Sequence, residues 1–160
     1  MSRRLRIVFL VVVVAQLIFP LGVIAYNEFK LASGKEVRLH VQPVDPIDFF
    51  RGEYVALSYD ISGIKTGAPP GTTVYVPLYK TDAHWTSQAA LLRRPPDDVT
   101  FIRGHVIDGG IKFGIETYFV EQGESRKYEE AAQNGDLFVD VVLDDEGDPK
   151  IKRLRVVARD

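Results

Sequence analysis

The 160-residue chain contains no cysteine. That absence excludes disulfides, thiolate metal sites and cysteine nucleophiles. It leaves the compartment open, because a domain with an adequate core can live outside the cytoplasm without covalent staples. An excess of positive charge is missing too: 20 Lys and Arg stand against 22 Asp and Glu, giving a formal net charge of -2. This balance excludes the basic footprint on which nucleic-acid binding rests. Hydrophobic residues at 46% and charged residues at 26% exclude a disordered or collagen-like chain. No internal repeat and no low-complexity tract is visible.

Catalytic signatures are scarce in the same way. His40, His84 and His105 are scattered, with no HExxH and no i, i+4 pair, so their spacing gives no zinc site. There is no G-x-S-x-G elbow. The stretch Gly67-Ala68-Pro69-Pro70-Gly71 is a proline-stiffened connection, not a phosphate-cradling loop. No cofactor and no resident metal is expected.

What is present is sharply divided. No acidic residue occurs before residue 27, and the only basic residues there, Arg3, Arg4 and Arg6, precede Ile7. Residues 7–26 are uncharged and include the run Val8-Phe9-Leu10-Val11-Val12-Val13-Val14. At a helical rise of about 1.5 Å per residue this stretch spans about 30 Å, the thickness of a bilayer's hydrocarbon core. Gln16 and Pro20 are its only interruptions. Either Pro20 kinks the helix and Gln16 is a polar handle able to face a partner helix, or both are simply tolerated. Val23-Ile24-Ala25 loosely fits a signal-peptide cleavage site, but the apolar run is longer than such peptides carry. The division is therefore a cytoplasmic basic tail at 1–6, a transmembrane anchor at 7–26, a short polar helical neck at 27–34 and an extracytoplasmic β-rich domain at 35–160. The arginines set the amino end on the cytoplasmic side. Leaving those three arginines behind takes the exported part from -2 to -5, so general electrostatics does not draw it to anionic headgroups.

Beyond the neck the pattern is mostly strand. Lys35–Val41 alternates with period two, and Glu53–Asp60 and Thr73–Lys80 read as further strands, with Pro77 marking an edge or a bulge. Ala83–Leu92, with Trp85, is ambiguous. Val99–Ile107 and Ile111–Val120 flank the hairpin turn Asp108-Gly109-Gly110. Glu124–Asn134 has helical composition and stops at Gly135. Leu137–Leu143 and Ile151–Ala158 flank a second turn at Asp144–Asp148. The expected fold is mainly β: an amino-terminal transmembrane helix, then an antiparallel sandwich or barrel with one short helix.

The most informative stretch runs Val44-Asp45-Pro46 through Arg51-Gly52-Glu53-Tyr54-Val55-Ala56-Leu57-Ser58-Tyr59. Here the chain resembles the GDYXXLXY family, through Gly52, Glu53, Tyr54, Leu57 and Tyr59. Glu53 stands where the family has Asp. A second family-like stretch is Phe113-Gly114-Ile115-Glu116-Thr117-Tyr118-Phe119-Val120, in which Thr117 takes the place of the usual Arg. The resemblance covers nearly the whole chain. It implies a bacterial membrane-anchored protein that partners a multi-pass membrane protein, and it brings no established biochemical activity.

Gly52 is free to take a positive φ after Arg51. Tyr54, Ala56 and Ser58 then face one way and Val55, Leu57 and Tyr59 the other, as in a central structural strand. Asp45, Asp48 and Glu53, with Arg51 among them, give either a divalent-cation or cationic-ligand site or ordinary turn chemistry, with Asp side chains capping backbone amides. Glu116 shares a strand face with Tyr118 and is expected either to meet solvent or to pair with a cation such as Arg103 or Arg38. A Glu53/Glu116 acid–base pair is the one enzymatic arrangement on offer.

The function these features favour is a single-pass membrane-anchored accessory or assembly subunit. Its extracytoplasmic β domain binds another membrane or envelope protein, with the lipid bilayer contacted through residues 7–26 and nucleic acid excluded. The bacterial cytoplasmic membrane is the expected location. The alternatives are a periplasmic ligand- or divalent-metal-sensing domain using Asp45, Asp48, Glu53 and Glu116, and a hydrolase using the Glu pair.

Overall fold

The computed structural model describes residues 3–43, 54–121 and 123–157. The chain divides into two units, one ending at Ser33 and the other starting at Gly34. The first is the single helix α1 (Arg3–Ser33), which continues without a break through Pro20. Its segment Phe9–Tyr26 has a mean hydropathy of 2.4, and none of it is buried within the protein. It is long and apolar enough to cross a membrane.

The second unit is mainly β. In chain order its strands are β1 (Lys35–Gln42), β2 (Tyr54–Ala56), β3 (Ser58–Tyr59), β4 (Thr73–Pro77), β5 (Tyr79–Lys80) and β6 (Trp85–Thr86). They continue with β7 (Phe101–Ile107), β8 (Gly110–Lys112), β9 (Thr117–Phe119), β10 (Leu137–Leu143) and β11 (Pro149–Val156). A 3-10 turn, Asp60–Gly63, follows β3, and helix α2 (Ser125–Gln133) precedes β10. Four antiparallel sheets result, ordered β11-β10-β1-β3, β2-β9, β4-β7-β8 and β5-β6, and no closed barrel forms among the described residues.

The core explains this arrangement. On β1 the alternation places Val37, Leu39 and Val41 inside, each 1% exposed, against Leu137, Val139 and Val141 of β10. Val74, Val76, Ile102 and Ile111 close the same core from the β4-β7-β8 sheet. Each such side chain taken out of water stabilises the fold by about 1.5–3 kcal/mol. Helix α2 contributes Ala131 and Ala132. It ends as its composition foretells: Gly135 takes φ 73°, and the N–H groups of Gly135 and Asp136 return to the carbonyls of Ala132 and Ala131.

Three expected strands are each interrupted. Glu53–Asp60 does not run as one strand: within its described part, Leu57 separates β2, which pairs with β9, from β3, which pairs with β1. The pattern of inward Val55, Leu57 and Tyr59 survives the break, but neither piece is the central strand of a sheet. Thr73–Lys80 is cut after Pro77, where Leu78 turns its N–H to the Thr100 carbonyl and β5 leaves to pair with β6. Ile111–Val120 is interrupted at residues 113–116, where Gly114 adopts φ 83°. A left-handed residue cannot continue a strand, and a glycine adopts that conformation without steric cost.

Candidate functional site

The two family-like stretches meet in space. The backbone N–H of Leu57 donates to the carbonyl of Glu116 at 2.8 Å. The Tyr59 hydroxyl donates to the carbonyl of Ile115 at 2.6 Å, inside the core. Tyr54 pairs with Phe119 across β2 and β9, their ring centroids 6.4 Å apart in an edge-on arrangement. The motif strand is thus fastened to the 113–119 segment at three successive points. Burial, and after it the nearby Glu116 charge, pushes the Tyr59 phenol far above its ordinary value, so it stays a donor.

Of the two expectations for Glu116, solvent or a cation such as Arg103 or Arg38, the pairing with either arginine is not formed. Its carboxylate turns back on its own loop and accepts the backbone N–H groups of Phe113 at 2.5 Å and Gly114 at 3.0 Å. The strand break makes this possible, because two consecutive N–H groups point inward once Gly114 turns left-handed. Arg103 instead holds Asp148 through two 2.6 Å bonds, tying β7 to the turn between β10 and β11. Arg38 goes to Asp140. Tyr118 lies half-buried opposite Val55. Asp45, Asp48, Arg51, Gly52 and Glu53 lie outside the described residues.

Two arrangements were not legible beforehand. Asp140, 1% exposed at the middle of β10, accepts from Arg38 at 2.9 Å, Arg153 at 2.8 Å and Arg155 at 3.0 Å. Burial pushes its carboxyl upward, but hydrogen bonds from Arg153, Arg38 and Arg155 outweigh that and hold its pKa at about 2. The strand register is the cause, since Arg38 and Arg153 lie directly across from Asp140 on either side. The signal in the sequence was an acidic residue inside an otherwise apolar strand.

The second arrangement joins two of the scattered histidines. His40 Nδ1 lies 3.0 Å from the Asp60 carboxylate, and His84 Nε2 lies 3.8 Å from it. The other ring nitrogen of His40 is 3.2 Å from the Gly135 carbonyl. Both rings pack on Phe138. Asp60 follows Tyr59 directly, so the end of the motif strand is anchored to β1 through His40. Among the described residues no group of three or more His, Cys, Asp or Glu is arranged to hold a metal ion. A cavity of about 310 Å³ lies beside this cluster, lined by Glu36, Arg38, Lys80, His84, Trp85 and Asp140 among others.

Among the described residues of the motif region, one large apolar side chain is left outside. Phe119 is 78% exposed, although Val55 and Leu57 of the same region are core. The model of the family described as GDYXXLXY protein matches residues 16–154, which takes in the second half of α1 and nearly all of the β unit. No curated protein and no solved structure matches the chain.

Proposed function

The chain belongs to the GDYXXLXY family, and from that premise we propose that it is a membrane-anchored accessory or assembly subunit. Its helix α1 holds it in the bacterial cytoplasmic membrane, with the amino end inside and the β unit outside. The β unit binds another membrane or envelope protein. The observation that carries this reading is the division of labour within the motif region. Leu57 and Tyr59 donate to the backbone carbonyls of Glu116 and Ile115, and the Glu116 carboxylate accepts the N–H groups of Phe113 and Gly114, so they act as a clasp. What the clasp presents to the outside is Phe119, beside Tyr54. Aromatic side chains held rigidly at a surface supply much of the binding energy of protein interfaces.

Purification of the full-length chain from membranes in mild detergent tests the reading. A membrane protein recovered in stoichiometric amount is the expected result, and a chain recovered alone would overturn it. The cavity beside Trp85 favours a second reading, the sensing of a small ligand. A compound bound there at one hundred times its dissociation constant would stabilise the protein by about 2.7 kcal/mol, a shift that a thermal-melt screen detects.

A further inference from the structure

We propose that α1 is an interaction surface as well as an anchor, and that it pairs inside the bilayer with α1 of a second copy of this chain through Gln16. The inference rests on the reading of α1 as a membrane-spanning helix.

Gln16 lies within the apolar segment Phe9–Tyr26, about 2 Å along the axis from its middle. Its side chain is exposed, and its carboxamide has no hydrogen-bond partner in the described chain. Pro20 stands four residues on. Proline has no N–H, so the Gln16 carbonyl loses the donor that an ordinary helix residue would supply at that position. The two features compound each other. A side chain with two donors and an acceptor, and a backbone acceptor without its usual i+4 partner, sit on the same residue near the centre of the hydrocarbon. No water reaches that depth, so these groups must find partners in protein.

A second copy of the chain meets this demand by symmetry. All copies insert in one direction, so Gln16 of each lies at the same depth. A two-fold axis along the helix pair sets like residues against each other. A carboxamide is self-complementary: Nε2–H of one copy donates to Oε1 of the other and the reverse. The second N–H of each amide is then available for the carbonyl freed by Pro20. The face around Gln16, given by i±4 and i±7, carries Phe9, Val12, Pro20 and Val23. Val12 and Val23 are compact and stiff at χ1, which suits close packing.

The absence of cysteine gives a clean test. Single cysteines are placed in the full-length chain at Val12→Cys or Val23→Cys on the Gln16 face, and at Val14→Cys or Ile18→Cys on the opposite face. Membranes are then oxidised. Disulfide-linked dimer is expected from the first pair and little from the second. Adding Gln16→Leu to Val12→Cys should lower dimer yield by about 3- to 10-fold, while Gln16→Asn preserves it. Equal cross-linking on both faces, or a yield unmoved by Gln16→Leu, would overturn the pairing. So would a Gln16→Leu chain that loses a different membrane protein on purification without ever having cross-linked to itself. Alkaline extraction and intact mass keep the two readings apart. A chain released without α1 overturns the anchor itself, whereas an intact membrane-bound chain that does not cross-link overturns only the pairing.

Discussion

The phenol of Tyr59 and the carbonyl of Ile115, 56 positions apart in the chain, form a 2.6 Å hydrogen bond that is closed off from water. It joins the last tyrosine of the GDYXXLXY motif to the 113–119 segment. Replacing Tyr59 with Phe keeps the ring and removes the donor, leaving a buried carbonyl unsatisfied. The expected loss is about 1–3 kcal/mol of stability. Trp85 is the only tryptophan, so urea melts followed by its fluorescence read the β unit without interference.

Glu116 acts on the same clasp from the other side. In Glu116→Gln one oxygen still accepts a backbone N–H, but the second position now carries a donor that faces another donor. Stability should fall by about 1–2 kcal/mol, and the loop at Gly114 should show faster amide exchange. Were the residue a catalytic base, the substitution would abolish turnover while leaving stability untouched.

Asp140 sets the behaviour in acid. Its folded pKa of about 2 lies below the ordinary value of 3.8, so the stabilisation it gives is complete above the ordinary value. It is lost as pH falls from about 4 toward 2. The shift corresponds to about 2 kcal/mol. Asp140→Asn should flatten the melting curve against pH over that window. At neutral pH it should destabilise the fold by about 2 kcal/mol, because Arg38, Arg153 and Arg155 lose their shared carboxylate but, being partly exposed, stay solvated.

Much of this fold can be read from the residues. The alternation along Lys35–Val41, the hairpin at Asp108-Gly109-Gly110 and the last two strands follow from local pattern. The helix ending before Gly135 follows from composition and a glycine stop. The strand interruptions do not. The 113–116 turn rests on Gly114 at φ 83° and on the Glu116 carboxylate beside it, whereas Leu57 and Leu78 break their strands because distant carbonyls, those of Glu116 and Thr100, take over their hydrogen bonds. No local propensity encodes a partner that far away in the chain. For the candidate site, the motif residues Tyr54, Leu57, Tyr59, Glu116 and Tyr118 were visible as a set. Their meeting across β2 and β9 was not. Asp140 with its arginines and His40 with His84 escaped because their members are far apart in sequence and are united only by strand register and loop packing.

The central claim is that the motif region is a clasp presenting Phe119 to a protein partner. The most direct measurement compares full-length wild type with Phe119→Glu, purified from membranes in mild detergent, with partner recovery quantified by mass spectrometry and stability by Trp85 fluorescence. The account predicts that Phe119→Glu keeps its urea midpoint, because the side chain is 78% exposed, and loses the partner at least tenfold, as removal of an interface anchor worth about 1.4 kcal/mol or more requires. Full partner recovery with the charged residue in place would contradict it.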